Sequence, residues 1–120
     1  MPVKSGPELV NEAKQRIREI SAAEVQSMQA RGAPAVYLDI REQNEWNLGH
    51  LPQATFLPRG LIEGHIEQRV PRDTTVVVYC ASGNRSALAA DTMQHMGYSD
   101  VRSLAGGIRA WVESGGDIED

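Results

Sequence analysis

The chain has 120 residues, enough for one ordinary domain. A domain of that size buries roughly two-thirds of its unfolded surface and needs no disulfide or metal to hold a core. Its apolar share of 41% and charged share of 23% are those of a globular protein. The net charge of -4 leaves no basic face for nucleic acid or an anionic membrane, so neither is an expected partner. No run approaches the ~18 apolar residues of a membrane span. A lone cysteine, Cys80, excludes an intramolecular disulfide and fits a reducing compartment. The first residues, Met-Pro-Val-Lys-Ser-Gly-Pro-Glu, have no apolar h-region. Cytoplasm is the expected location.

In chain order, residues 7–17 read as an amphipathic helix, with Leu9, Val10, Ala13 and Ile17 near one face. Ser21 with Glu24 makes a capping box that opens a second helix through Ala30. Gly32-Ala33-Pro34 stops it. Residues 36–39 read as a short buried strand ending in Asp39. A helix over 42–48 is broken by Gly49-His50-Leu51-Pro52. Residues 55–57 form a brief strand and 61–70 a helix. The clearest strand is Thr75-Val76-Val77-Val78-Tyr79, a β-branched run without alternation, as expected when both faces are covered. After a Gly-containing loop, residues 86–96 are helical, and Gly97 closes that helix. A last strand over 101–104 turns at Gly106-Gly107 into a short helix carrying Trp111. Strands alternating with helices predict an α/β fold with a parallel sheet.

Ligands in such sheets sit beyond the carboxyl ends of the strands. Cys80 falls there, and Cys80-Ala81-Ser82-Gly83-Asn84-Arg85-Ser86 leads into a helix N-terminus. A loop of this kind turns successive backbone N–H groups inward and makes an anion-binding nest. The helix dipole adds about 0.3–1 kcal/mol, up to ~2 when partly buried. One pKa unit is about 1.4 kcal/mol, so the dipole alone moves a thiol by about one unit. Backbone donors and the forked cation of Arg85 are therefore needed to hold Cys80 as a thiolate at neutral pH.

Four stretches together resemble the rhodanese homology domain, from about Glu19 to Trp111. They are Leu38-Asp39-Ile40-Arg41-Glu42 followed by Glu45-Trp46; Gly49-His50-Leu51-Pro52 with Ala54; the 80–86 loop; and Leu104-Ala105-Gly106-Gly107-Ile108 with Trp111. Gln53 departs from the glycine common at that place in the family and puts only a local turn in question. The resemblance implies a three-layer α/β/α fold around a five-stranded parallel sheet. It divides the chain into an N-terminal helical extension, 1–18, and a rhodanese domain, 19–120. It also implies a sulfurtransferase that needs no cofactor. Cys80 would take sulfur from thiosulfate or a similar small anionic donor and hold it as a persulfide. A thiol or cyanide acceptor would then remove it, and a protein persulfide is a further donor the resemblance admits. Ala81, Ser82, Gly83, Asn84, Arg85 and Ser86 would bind the donor, with Arg85 pairing its anion.

Two other functions are weighed beside this one. One is a persulfide carrier or partner-binding module with little thiosulfate turnover. The other is a phosphatase or arsenate reductase. Cell-cycle dual-specificity phosphatases share the fold but place five residues between Cys and Arg, whereas four lie between Cys80 and Arg85. Asp39 is read mainly as a strand-end residue that fixes the following turn and Arg41 as a member of an ion-pair network; with Arg59 they are also secondary site candidates. Glu42 and Glu45 are read as a solvated or salt-bridged helix face. His50 is read as a hydrogen-bonded structural residue. His50, His65 and His95 lack ligand spacing, so no metal is expected.

Overall fold

The computed structural model describes residues 2–120. Five strands form one parallel sheet: β1 (Arg18–Ile20), β2 (Val36–Asp39), β3 (Ala54–Phe56), β4 (Thr75–Tyr79) and β5 (Asp100–Leu104), in the order β1-β5-β4-β2-β3. Six helices accompany them: α1 (Gly6–Arg16), α2 (Ala22–Ala30), α3 (Gln43–Asn47), α4 (Ile62–Arg69), α5 (Asn84–His95) and α6 (Gly107–Glu113).

The central strand shows why the apolar run at Thr75–Tyr79 does not alternate. Val76 and Val78 enter one core cluster, with Ile62 and Ile66 of α4 and Ala89, Ala90 and Met93 of α5. Val77 and Tyr79 enter the other, with Val25 and Met28 of α2 and Trp111 of α6. Successive side chains point to opposite faces, and each face is roofed by helices. Fully burying each valine is worth about 1.5–3 kcal/mol. The predicted three-layer α/β/α architecture is the one observed.

The predicted boundaries hold within two residues for most elements. The stretch read as helix over 61–70 begins instead with a 3₁₀ turn, Arg59–Leu61, before α4. Ser21 Oγ accepts the Glu24 N–H at 3.1 Å, but the expected box is only half formed, because the Glu24 carboxylate accepts from the Ser21 hydroxyl at 3.2 Å rather than from the Ser21 N–H. The element missing from the sequence reading is β1. Its three residues lie between the end of α1 and the Ser21 cap, with Arg18 and Glu19 exposed. Pairing with β5, Arg18 with Arg102 through Ile20 with Leu104, makes it a strand. α1 lies outside the sheet on α5, anchored by buried Ala13 and by an Arg16–Asp91 ion pair at 2.8 Å. Among the described residues, no helix is long and apolar enough to cross a membrane.

Candidate active site

β4 delivers Cys80 at its carboxyl end, on the same face as Val76 and Val78. The chain then turns at Gly83, whose φ of +99° is a left-handed conformation natural to glycine, and enters α5. This turn brings backbone N–H groups onto the sulfur. Gly83 N–H donates to Cys80 Sγ at 3.2 Å and Ser86 N–H donates at 3.4 Å. α6 fixes the loop from the other side, through Ile108 N–H to Cys80 O at 2.9 Å and Arg109 N–H to Ala81 O at 3.2 Å. That approach needs Gly107, where φ is +60° and a Cβ would lie 2.4 Å from Cys80 O. The Leu104-Ala105-Gly106-Gly107 stretch thus has a mechanical reason to accompany the cysteine loop.

The sulfur sits on a short chain of hydroxyls. Ser86 Oγ lies 3.5 Å from Cys80 Sγ and 2.8 Å from Ser103 Oγ, and both serines are fully buried. A thiol donates to Ser86, and a thiolate receives the Ser86 proton instead. Burial pushes the Cys80 thiol up, but hydrogen bonds from the Ser86 hydroxyl and the N–H groups of Ser86, Gly83 and Ser82 outweigh it. The net direction is down, toward the thiolate. Ser103 escaped the sequence reading, although one signal existed. It is a polar residue two positions after Val101, on the inward face of a strand.

A hydrogen bond to a charged group is worth about 1.5–3 kcal/mol. In Ser86→Ala the midpoint of the pH dependence of Cys80 alkylation by iodoacetamide is expected to rise by roughly one unit. The sign follows from the geometry: removing a donor to the anion favours the thiol, so reaction is lost at neutral pH and regained at higher pH. An unchanged midpoint in a folded variant would exclude the hydroxyl as a contributor.

The Arg85 guanidinium, expected to pair with the donor anion, meets a carboxylate of the protein in this structure. Arg85 Nη1 and Nη2 donate to the two oxygens of Glu45, on α3, at 2.9 and 3.1 Å. The fork holds the Glu45 carboxyl well below the usual carboxylate range, at about 2, against the opposing effect of partial burial. Glu45 is therefore ionised throughout the neutral range. The donors that reach Cys80 are those of Ser82, Gly83 and Ser86. Ser82 and Asn84 are exposed on the rim, and Ala81 carries the α6 contact.

The secondary candidates lie elsewhere. Asp39 and Arg41 are buried and face each other, with Arg41 Nη2 2.7 Å from Asp39 Oδ2 and also donating to Gly49 O at 2.7 Å. Tyr79 OH donates to Asp39 Oδ2 at 2.7 Å. Arg59, a secondary site candidate, is held by Glu63 at 2.9 Å and Thr92 at 3.4 Å, the latter about two turns along α5 from the loop. Among the described residues it has no hydrogen bond or ion pair to residues 80–86. His50 stacks on Trp46 with ring centroids 3.6 Å apart. Gln53 adopts φ +67°, the conformation for which glycine is better suited.

A parallel α/β sheet with a strand-end cysteine cradled by peptide N–H groups defines a class of thiol-dependent domains. The family model for the rhodanese-like domain matches residues 21–114, and the chain belongs to that family. A protein named sulfurtransferase from Allochromatium vinosum is 35% identical over 99 residues, which cover 82% of this chain and 92% of the relative. A probable adenylyltransferase/sulfurtransferase, MoeZ, from Mycobacterium tuberculosis is 37% identical over 83 residues, 68% of this chain. That match spans only 21% of MoeZ. Among solved structures, one from Rhodopseudomonas palustris, described as a protein of unknown function and possible tyrosine phosphatase, superposes with a TM-score of 0.89. It is 34% identical, and the alignment covers 99% of each chain. A rhodanese-related protein from Thermoplasma volcanium superposes with a TM-score of 0.77 at 28% identity, covering 85% of this chain and 97% of that one.

Proposed function

We propose that this chain is a sulfurtransferase that moves sulfane sulfur through a persulfide on Cys80. One observation carries the reading: the buried sulfur at the end of β4 receives backbone N–H bonds from Gly83 and Ser86. Those donors favour an anion at that place, whether the thiolate or a persulfide. The Cys80 thiolate attacks the outer sulfur of a donor such as thiosulfate. A new S–S bond forms, the bond to the sulfonate sulfur breaks, and sulfite leaves with the electron pair. Cyanide or a thiolate then attacks the outer sulfur of the persulfide, and Cys80 leaves as the thiolate. This is covalent catalysis by an activated nucleophile, and it requires no metal or organic cofactor.

The test is intact-mass measurement after exposure to thiosulfate, followed by addition of cyanide. The expected result is a gain of about one sulfur mass, lost again as thiocyanate appears. No gain from thiosulfate, glutathione persulfide or a protein persulfide would overturn the proposal. Loading with negligible turnover would instead favour a carrier that receives sulfur from a partner protein. The relatives named adenylyltransferase/sulfurtransferase, in which the matched segment is a minor part, give that second reading its support. The phosphatase reading gains from the description of the Rhodopseudomonas palustris structure but faces a loop with four residues between Cys80 and Arg85. Hydrolysis of an aryl phosphate faster than sulfur transfer would restore it.

A further inference from the structure

We infer that Ser103 is a positioning residue for the second half of sulfur transfer: it holds the Ser86 hydroxyl as a donor to Cys80 Sγ, and so makes Cys80 a better leaving group when an acceptor removes its sulfur. This rests on the sulfur-transfer reading above and adds a residue to its machinery. Ser103 lies on β5 and Ser86 on α5, both 0% exposed, with their hydroxyl oxygens 2.8 Å apart. Among the described residues Ser103 Oγ has Ser86 Oγ as its one hydrogen-bond partner. The Ser103 proton therefore has one acceptor, and donating it leaves the Ser86 proton for the sulfur 3.5 Å away. In that direction both hydroxyl protons are used and the run ends on an anion. The reverse direction strands the Ser103 proton in the interior, where a buried donor without a partner is costly.

Without Ser103 the Ser86 hydroxyl has a rival acceptor. Ser86 stands in the first turn of α5, and a serine there can turn its proton back onto the carbonyl four residues earlier, here that of Ser82. Donation from Ser103 also polarises the Ser86 O–H, which strengthens its bond to sulfur by roughly 10–30%. The charge on Sγ is what changes during the cycle. In the loaded state the negative charge sits on the outer sulfur, and Sγ is a neutral, weakly accepting divalent sulfur. When cyanide attacks, its carbon bonds to the outer sulfur, the S–S bond breaks, and the electron pair stays on Sγ as thiocyanate leaves. A donor at Sγ is thus worth more in that transition state than before it. In loading the thiolate gives up its charge, so the same donor holds the nucleophile back. The charged groups on the surrounding elements have partners of their own. Arg85, in electrostatic reach of the sulfur, pairs with Glu45, Asp91 with Arg16 of α1, and Arg59 with Glu63 of α4. Glu19, beside Ser103 in the register on β1, is exposed. Among the described residues none of these side chains hydrogen-bonds to Cys80, Ser86 or Ser103.

The experiment measures the two half-reactions separately on the full chain, comparing Ser103→Ala, Ser103→Thr, Ser103→Val, Ser86→Ala and the Ser86→Ala, Ser103→Ala double variant. Loading by thiosulfate is timed above the alkylation midpoint, and discharge by cyanide is timed on chain already loaded. In Ser103→Ala the midpoint of iodoacetamide alkylation is expected to rise by about half a unit, half the shift of Ser86→Ala. Discharge is expected to slow about twofold while loading is unchanged or up to about twofold faster, the opposed signs that a Brønsted coefficient of roughly 0.4–0.5 gives. A merely structural role slows both. Ser103→Thr keeps the hydroxyl and is expected to behave as the parent. Ser103→Val, equal to threonine in shape and without the hydroxyl, is expected to repeat the alanine signs, and it carries the test if the alanine variant does not fold. In the Ser86→Ala background Ser103→Ala is expected to add nothing, because it acts through that hydroxyl. An unmoved midpoint and discharge rate, equal slowing of both halves, or an undiminished effect without the Ser86 hydroxyl overturns the assignment. If no donor adds sulfur mass to Cys80, the sulfur-transfer reading falls, and the alkylation midpoint still decides whether Ser103 acts on the sulfur.

Discussion

Cys80→Ser is expected to form no thiocyanate above background and to gain no sulfur mass from any donor. The argument is chemical before it is structural. Sulfur transfer needs a nucleophile that is anionic near neutral pH and that also leaves readily when the acceptor attacks. The loop supplies the first property through Gly83, Ser86 and the Ser86 hydroxyl. A serine hydroxyl receiving the same bonds stays protonated, because its starting acidity is many units weaker than that of a thiol. It also cannot hold a sulfur atom that a thiol or cyanide will take back. The fold should survive, since the oxygen inherits the two backbone donors and the neighbouring hydroxyl. The expected thermal midpoint is within about 5 °C of the parent. Residual turnover equal to that of the parent would remove covalent catalysis from the mechanism. Loss of turnover with a collapsed thermal midpoint would leave the chemistry untested, and Cys80→Ala provides the second variant, with the same expected loss.

The contrast between what the sequence discloses and what it hides follows from the range of the interactions. β4 and its cysteine are legible because a β-branched run, a glycine turn and a helix start are local signals. The same is true of Ser21 and of the Gly106-Gly107 turn. β1 is hidden because Arg18, Glu19 and Ile20 have no strand pattern of their own and become a strand by pairing with β5, more than eighty residues away. The Glu45–Arg85 pair is hidden for a related reason. Glu45 reads as a helix-face carboxylate, and nothing within the chain's local pattern says that a residue 40 positions later will claim it. Ser103 lies between these cases. Its position in a strand betrays it as inward-facing, but its partner Ser86 becomes visible only when β5 is placed beside β4, with Val78 opposite Ser103. Gln53 shows a mismatch that is legible in advance: the residue departs from the family's glycine, and the backbone there does adopt the positive φ that glycine serves.

Asp39→Ala is expected to destabilise the fold by about 3–5 kcal/mol, the cost of leaving a buried charge unpaired. Out of the roughly 5–15 kcal/mol typical of a domain, that is about a fifth or more. Asp39 is 0% exposed and Arg41 6%, so water cannot replace the lost partner without opening the structure. Arg41 Nε and Nη2 both donate to the carboxylate, at 3.0 and 2.7 Å to their nearer oxygens, and Arg41 N–H adds a third bond at 3.0 Å. Tyr79 OH donates a fourth and itself accepts Leu51 N–H at 3.1 Å. Burial, with the Asp39 charge beside it, pushes the Tyr79 phenol up, so it remains a donor at all working pH values. These bonds join the end of β2, the end of β4 and the Gly49-His50-Leu51-Pro52 turn, which explains why those motifs occur together. Removing the arginine as well should recover part of the loss, since Asp39→Ala with Arg41→Met leaves no orphaned charge. Urea unfolding of the single and double variants checks this through the midpoint at constant slope. A single variant costing less than about 1 kcal/mol, or a double variant no more stable than the single, would show that the pair does not act as a buried ion pair. Because Tyr79 immediately precedes Cys80, the same substitution should loosen the strand end that aims the sulfur, and sulfur loading should slow even in the fraction that remains folded.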